Sequence, residues 1–312
     1  MSDMSDAPLD GGGEAGADPG WRGKLAWAAL IFSGLVLVWF AIAAFGSKFR
    51  VFDPLYAFGT LAVDYGSKLT FVALGFGVLA LIVGFIRYPR TKPVILSLFA
   101  LLIAGSILGR FMSFRGLAEY LPPIHDVQTD WNDPVSFSDA VLAAREADNA
   151  RNAIEADPVI PDSEGVRARW PDYAGKRVAE VQEAAEIDPD REYENPADEP
   201  PYPDIAPLMA ERPASEVYAI ALDLVKSEGW TIISETPATA TSAGVIEATA
   251  ETGAFGFRDD VAIRIRPEDT GTTRVDMRSV SRVGLSDVGA NALRVVRFLD
   301  NLERRTAGPL ED

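Results

Sequence analysis

The 312-residue chain has no cysteine and a single histidine, His125. Without thiols it can form no disulfide, thiolate metal centre or cysteine nucleophile, and its compartment cannot be read from redox chemistry. The sequence also lacks a Walker phosphate loop, an HExxH metal helix and a nucleophile elbow around a serine. Basic charge is in short supply. Twenty-nine Lys and Arg face 46 Asp and Glu, giving a net charge of −17, and the acidic excess lies after residue 115. A soluble part this acidic lacks the basic face that phosphate backbones require, which excludes nucleic acid as a partner.

What the chain does have is long apolar runs near its start. Residues 25–45, 69–86 and 94–109 contain no charged side chain, and about 20 apolar residues suffice to cross a bilayer. The pattern predicts three transmembrane helices, at about 25–45, 69–86 and 94–112, within a membrane region of residues 21–115. Arg110 snorkels to the interface at the end of the third. Ala41 and Ala43 form an A-x-A pattern, but the first run is longer than a signal core and two more spans follow, so it is expected to stay in place. Nothing ionisable lies within the apolar runs, which argues against a pump or an ion-coupled transporter. Gly105 and Gly109 form a GxxxG pattern suited to close helix contact.

Orientation turns on local density, because Arg22, Lys24, Arg87, Arg90 and Lys92 on one side balance Lys48, Arg50, Lys68, Arg110 and Arg115 on the other. Arg87, Arg90 and Lys92 crowd into one short loop between two spans, where the positive-inside rule acts most strongly. That places the N-terminus in the cytoplasm. The soluble part then lies on the periplasmic side of a bacterial inner membrane.

Residues 1–20 are acidic, glycine-rich and without hydrophobic periodicity, as a disordered tail is. Pro122 and Pro123 mark an extended lead-in, followed by a helix over 137–155. Residues 157–207, rich in proline and acid, are expected to form a solvated excursion with one helix at 176–186. The compact part resumes near Ala214. Val217, Ala221, Leu224 and Val225 follow helical spacing and end at Gly229, a C-terminal signal. Strands follow at 230–234 and 244–249, and then a hairpin. In it Val261, Ile263 and Ile265 alternate with Ala262, Arg264 and Arg266, and Val275 and Met277 alternate with Arg274, Asp276 and Arg278. One face is apolar and the other rich in arginine, with a turn at 267–272. Ser286 or Asp287 caps a last helix whose Val288, Ala292, Val295, Val296, Leu299 and Leu302 pack on the apolar face. The predicted fold class is therefore α+β. Three transmembrane helices precede a soluble domain, residues 116–305, with an antiparallel sheet of about four strands packed against helices, and residues 306–312 form a tail.

Three groups of residues carry chemistry. His125 beside Asp126 has the make-up of a general base, with a serine nucleophile supplied from elsewhere. Asp259 and Asp260 are adjacent carboxylates. No spacing around them matches a calcium loop, so they are expected to pair with Arg264, Arg274 or Arg278 across the sheet rather than to hold a metal. Arg278, Arg282, Ser286 and Asn291 lead into the start of the last helix, where arginine and backbone N–H groups together suit an anionic ligand.

Four blocks, IHDVQTD (124–130), YPDIAPL (202–208), GVIEATAET (244–252) and GFRDDVAIRIRP continuing to SRVGLSDVGAN, resemble the bacterial and plastid family called domain of unknown function 1499. The resemblance covers about residues 121–302. It implies a domain boundary and carries no activity with it. The leading expectation is a membrane-anchored binding or interaction module without cofactor or metal. Its partners are the lipid bilayer through three spans, and another membrane protein or an anionic ligand. The alternatives are an accessory subunit of a larger membrane complex, or a hydrolase or metal-dependent enzyme using His125 with carboxylates.

Overall fold

The computed structural model describes residues 20–188, 190, 199–268 and 271–307. The expected disordered tail at 1–20 lies outside these residues but for Gly20, as do most of the 306–312 tail and the middle of the 267–272 turn. The chain forms two compact units. One combines Met1–Ala43 with Phe58–Met112, and the other combines Ala44–Ala57 with Ser113–Asp312.

Among the described residues, three helices are long and apolar enough to cross a membrane, Trp21–Lys48, Tyr56–Phe85 and Thr91–Tyr120. They comprise α1 (Trp21–Lys48), α2 (Ser67–Phe85) preceded by a π-helical stretch Tyr56–Gly66, and α3 (Thr91–Tyr120). The second begins well before residue 69, where charge made the apolar run stop. Asp64 and Lys68 lie within it and pair one turn apart at 2.7 Å on the exposed surface. Trp39 Nε1 donates to the Leu61 carbonyl at 2.8 Å, satisfying one oxygen of the π-helical stretch.

Small side chains explain how the first unit packs. Thr70, Ala73, Gly77, Ala80 and Gly84 are buried at three- and four-residue spacing along α2. Ala80 meets Ala29 and Ala100 in one layer, and Ala73 meets Val36 and Ala104 in another. Apolar burial gives no driving force within lipid, so close backbone approach and dispersion must hold such helices together. A Cβ added at Gly77 would sit 2.8 Å from Leu101. Gly105 and Gly109 of the GxxxG pattern lie on the exposed side of α3, and other small residues make the contacts within the bundle.

The second unit contains a six-stranded antiparallel sheet. Its strands are β1 (Asp126–Gln128), β2 (Leu208–Ala210), β3 (Thr231–Thr236), β4 (Gly244–Glu251), β5 (Arg258–Pro267) and β6 (Thr273–Ser281). The order is β1-β6-β5-β4-β3, and β2 pairs with the start of β6 beyond the reach of β1. Around the sheet lie α4 (Asp139–Ala147), α5 (Glu164–Arg169), α6 (Val178–Ala185), α7 (Ala214–Ser227) and α8 (Ala290–Ala307). The sheet's apolar face, with Val261, Ile263, Ile265, Val275 and Met277, packs in one core with Val217, Leu224 and Val225 of α7 and with Val295, Phe298 and Leu302 of α8.

Two expectations are corrected here. The helix over 137–155 is shorter, because α4 ends at Ala147 and Asn149 takes a left-handed φ of 53°. The 157–207 segment is not wholly a solvated excursion. Ile160, Val166, Val178, Val181, Ala185, Tyr202 and Ile205 join the main core. Gln182 of α6 holds that segment to the sheet by mimicking a strand: its Oε1 accepts from Gln128 N at 3.2 Å and its Nε2 donates to Gln128 O at 2.8 Å.

At the start of β4, a Cβ on Gly244 would fall 2.3 Å from the Ala238 backbone nitrogen. Backbone cannot yield as a side chain can. Gly244→Ala is expected to cost about 1–3 kcal/mol and lower the melting temperature of the soluble domain by several degrees. Thermal unfolding followed by circular dichroism measures this, and an unchanged melting temperature would refute the close approach.

Candidate functional site

Pairing register decides which charged residues share a face. Arg264 lies opposite Asp276, Arg266 opposite Arg274, Ala262 opposite Arg278 and Asp260 opposite Val280. Directly opposed residues point the same way. The even-numbered charges of β5 and β6 therefore stand together on the face away from α7 and α8. This face is covered by residues 129–155, which bring carboxylates, carbonyl oxygens and one further arginine.

Three clusters result. At one end Asp276, fully buried, receives Arg274 at 2.8 Å, Arg266 at 3.1 Å and Arg264 at 3.2 Å. One carboxylate cannot balance three guanidinium groups, and the cover supplies the rest. Asp133 takes Arg264 at 2.9 Å and Arg266 at 2.6 Å, and Asp130 takes Arg274 at 2.6 Å. Desolvation pushes the Asp130 and Asp133 pKa values up. Hydrogen bonds outweigh it and hold both below the usual carboxylate range: those from Asn132 N–H and Arg274 on Asp130, and those from Arg266 and Arg264 on Asp133.

In the middle, Arg278 is 2 % exposed and grips Asp126 of β1 with two bonds of 3.0 and 2.5 Å. It also donates to the Val135 and Glu155 carbonyls at 3.1 and 2.6 Å. The rings of Trp131 and Phe137 lie 5.8 and 5.9 Å from its guanidinium carbon. At the other end, Asp260 binds Arg282 at 2.7 Å, Arg145 of α4 at 2.6 Å and Thr249 Oγ1 at 2.8 Å. Arg282 reaches onward to Asp148 at 3.1 Å and the Ala144 carbonyl at 3.3 Å. Glu247 accepts from the backbone N–H of Ser138 at 2.6 Å and from its hydroxyl, and so anchors the start of α4 to the sheet.

The expected pairing of Asp259 and Asp260 with Arg264, Arg274 or Arg278 is corrected by this geometry. Asp260 pairs with Arg282 and Arg145. Asp259 points to the opposite face and pairs with Arg294 of α8 at 2.6 Å. Arg278 and Arg282 share the covered face with Asp126 and Asp260, whereas Asn291 lies on the other, where its amide joins Ser279 Oγ, Ser281 Oγ and the His125 carbonyl. Ser286 accepts from Val288 N. The His125 ring is tied to the Leu285 backbone, and desolvation lowers its pKa against the pull of Asp126. These residues do not form one pocket.

Recesses open on the surface of this unit, and two bear on the candidate residues. One, of about 360 Å³, lies among Asp148, Thr231, Ile233, Thr249, Arg258 and Arg282. Each donor nitrogen of Arg282 is already directed at a protein acceptor, so an incoming anion would have to displace Asp148 or Thr249. The other, of about 770 Å³, runs along α8 past Trp230, Leu293, Arg297, Phe298, Asn301 and Arg304. Its floor is the stacked pair Trp230 and Phe298, with ring centres 5.4 Å apart. Among the described residues, no group of three or more His, Asp or Glu side chains is arranged to hold a metal ion.

Sequence reasoning missed Asp130, Asp133, Arg145 and Asp148. Asp130 and Asp133 lie in an irregular stretch and Arg145 and Asp148 in and at the end of α4, where the only usable signal is that these charges mirror those of the hairpin. It also missed one carboxyl outside the arginine clusters, Glu186, whereas Asp287 is one of the two caps expected for the last helix. Asp287 caps α8 by accepting from Gly289 N and Asn291 N at 2.8 Å each, and burial raises its pKa to about 6. Glu186, bonded to Gln182 at 2.6 Å, is raised to about 7, first by desolvation and then by Asp204 and Glu183.

The clusters and the buried carboxyls make separate predictions. Removing one partner of a buried pair leaves an uncompensated charge, at about 3–5 kcal/mol, whereas an exposed pair contributes about 1 kcal/mol at most. Asp260→Ala, which orphans Arg145 and Arg282, is expected to lower the melting temperature by roughly 10 °C. Asp162→Ala, breaking the exposed pair with Arg167, should shift it by about 2 °C or less. Equal effects would contradict the balance of charge on the covered face. A raised carboxyl pKa means that the folded state holds the proton more tightly, so stability falls as pH rises from about 4.5 to 7 across the Glu186 range. His125, shifted down, acts oppositely below its ordinary value of 6.5. Glu186→Gln should flatten the loss of melting temperature between pH 5 and 8, and an identical slope in wild type and variant would show that Glu186 is not desolvated.

The protein family of unknown function DUF1499 matches residues 126–302. That range runs from the first residue of β1, through the arginine clusters, into α8. No curated protein and no solved structure matches the chain. With more than half of its length inside the family's range, three candidate membrane helices ahead of it and a soluble α+β fold, the chain belongs to the DUF1499 family.

Proposed function

We propose that the protein is a multi-pass protein of a bacterial inner membrane whose soluble domain, on the periplasmic side, is an interaction or binding module. The observation that carries this reading is the groove along α8. The arginines of the sheet are neutralised from within, so they hold the domain together and leave recognition to its surface. The groove combines an aromatic floor, the exposed Leu293 and the cations Arg297 and Arg304 with Glu228 and Asp300 on the rim. A recessed surface of mixed character with aromatic anchors suits a protein segment or a small amphipathic ligand.

A second reading, an accessory subunit of a larger membrane complex, is favoured by Gly105 and Gly109. They lie one turn apart on an exposed side of α3, at the spacing that lets a second helix approach closely.

Two experiments test the proposal. For orientation, the absence of native cysteine makes labelling clean: Ala143→Cys on α4 is expected to react with an impermeant thiol reagent in intact cells, and Thr91→Cys to stay unlabelled. The reverse pattern would overturn the periplasmic placement. For the groove, a photo-crosslinking residue at Leu293 should capture a discrete species that the same residue at the exposed Val159 does not, and Arg297→Glu should abolish it. Equal capture at both positions would rule out α8 as the recognition surface.

A further inference from the structure

One end of the three-helix unit gathers cations without acids. Arg22 and Lys24 begin α1, Arg87 and Arg90 lie in the turn that follows the second helix, and Lys92 opens α3. Bonds hold the start of α1 against this turn: Arg22 donates to the Arg87 carbonyl and, at 3.1 Å, to that of Tyr88. The guanidinium of Arg90 lies 4.3 Å from the centre of the Tyr88 ring, and its buried Nε has no hydrogen-bond partner. Among the described residues of this unit the one carboxylate is Asp64. It is paired with Lys68 and, at the helical rise, stands about 30 Å away along the second helix. Trp21 and Tyr88, 66 % and 72 % exposed, flank the cluster as aromatic side chains do at the headgroup level of a bilayer.

We infer that this end of the bundle is a binding site for the phosphate of an anionic phospholipid headgroup, seated between the start of α1 and the turn before α3. Arg22 and Arg90 are held in place by backbone and ring contacts and form the fixed part of the site. Lys24, Arg87 and Lys92 are exposed and close around the anion. Basic pockets between membrane helices recognise lipid headgroups in this way, and the exposed position at the bilayer interface favours a lipid over a free ion. The inference does not rest on the α8 groove, which belongs to the other unit.

The test uses the full chain in a neutral detergent, with phosphatidylglycerol and phosphatidylcholine as probes and retained lipid read by native mass spectrometry. Wild type is expected to retain phosphatidylglycerol at about tenfold lower concentration than phosphatidylcholine. The double change Arg87→Gln with Lys92→Gln, and separately Lys24→Gln, should reduce that preference without altering helix content by circular dichroism. Arg110→Gln, far along α3, should leave it intact. Equal retention of the two lipids by wild type, or the same loss in Arg110→Gln, would overturn the site. Full displacement of lipid by millimolar inorganic phosphate would overturn it too, by showing a receptor for free anions.

Discussion

Arginine buried in a sheet must find its counter-charge within the fold. Taking an ion out of water costs several kcal/mol, and only close, well-directed partners offset that. In this domain the requirement is met by a segment remote in sequence. Asp126, Asp130, Asp133 and Asp148, with carbonyl oxygens of Ala144, Val135 and Glu155, meet the guanidinium groups of β5 and β6. The path of residues 126–155 follows from this. β1 exists because Asp126 must sit beside Arg278, and α4 lies where it does because Arg145 must reach Asp260 while Glu247 holds the helix start. The other face of the same strands obeys ordinary apolar packing, so one sheet has a hydrophobic side and an ionic side, both buried.

That division bears on function. Chemistry at a site needs groups free to meet a substrate, and here the most conspicuous charged residues are already occupied. His125, Asp260 and Arg278 are distributed between a backbone contact and two separate ion clusters. The less conspicuous α8, with a stripe of exposed residues over an aromatic floor, offers the more open surface.

Much of this was legible in the residues themselves. Alternation in Val261 to Ile265 and in Arg274 to Arg278 gave the hairpin and its two-faced character, and the spacing of Val217 to Val225 and of Ala292 to Leu302 gave α7 and α8. The three apolar runs gave the three helices that are long and apolar enough to cross a membrane. What failed was anything without a period. β1 and β2 span three residues each, too short to show alternation, and they exist through pairing with β6. The core residues of 157–207 are single apolar side chains among prolines and acids, so composition hid their burial. The density of arginine in β5 and β6 is visible in the residues, but chain order does not show that an acidic stretch more than 120 residues upstream would face them.

The distance along the chain between Asp126 and Arg278, 152 positions, has a consequence for how the domain is made. Synthesis delivers the acidic cover long before the strands it must meet. Until β6 emerges the carboxylates stay in water, and until the cover returns the arginines cannot leave it. Neither layer can settle alone, so the ionic side of the sheet assembles late and all at once, after a long loop has closed. A growing chain of this protein therefore carries an open, acidic segment while more than 120 further residues are added, and that segment becomes interior only after β6 has been made.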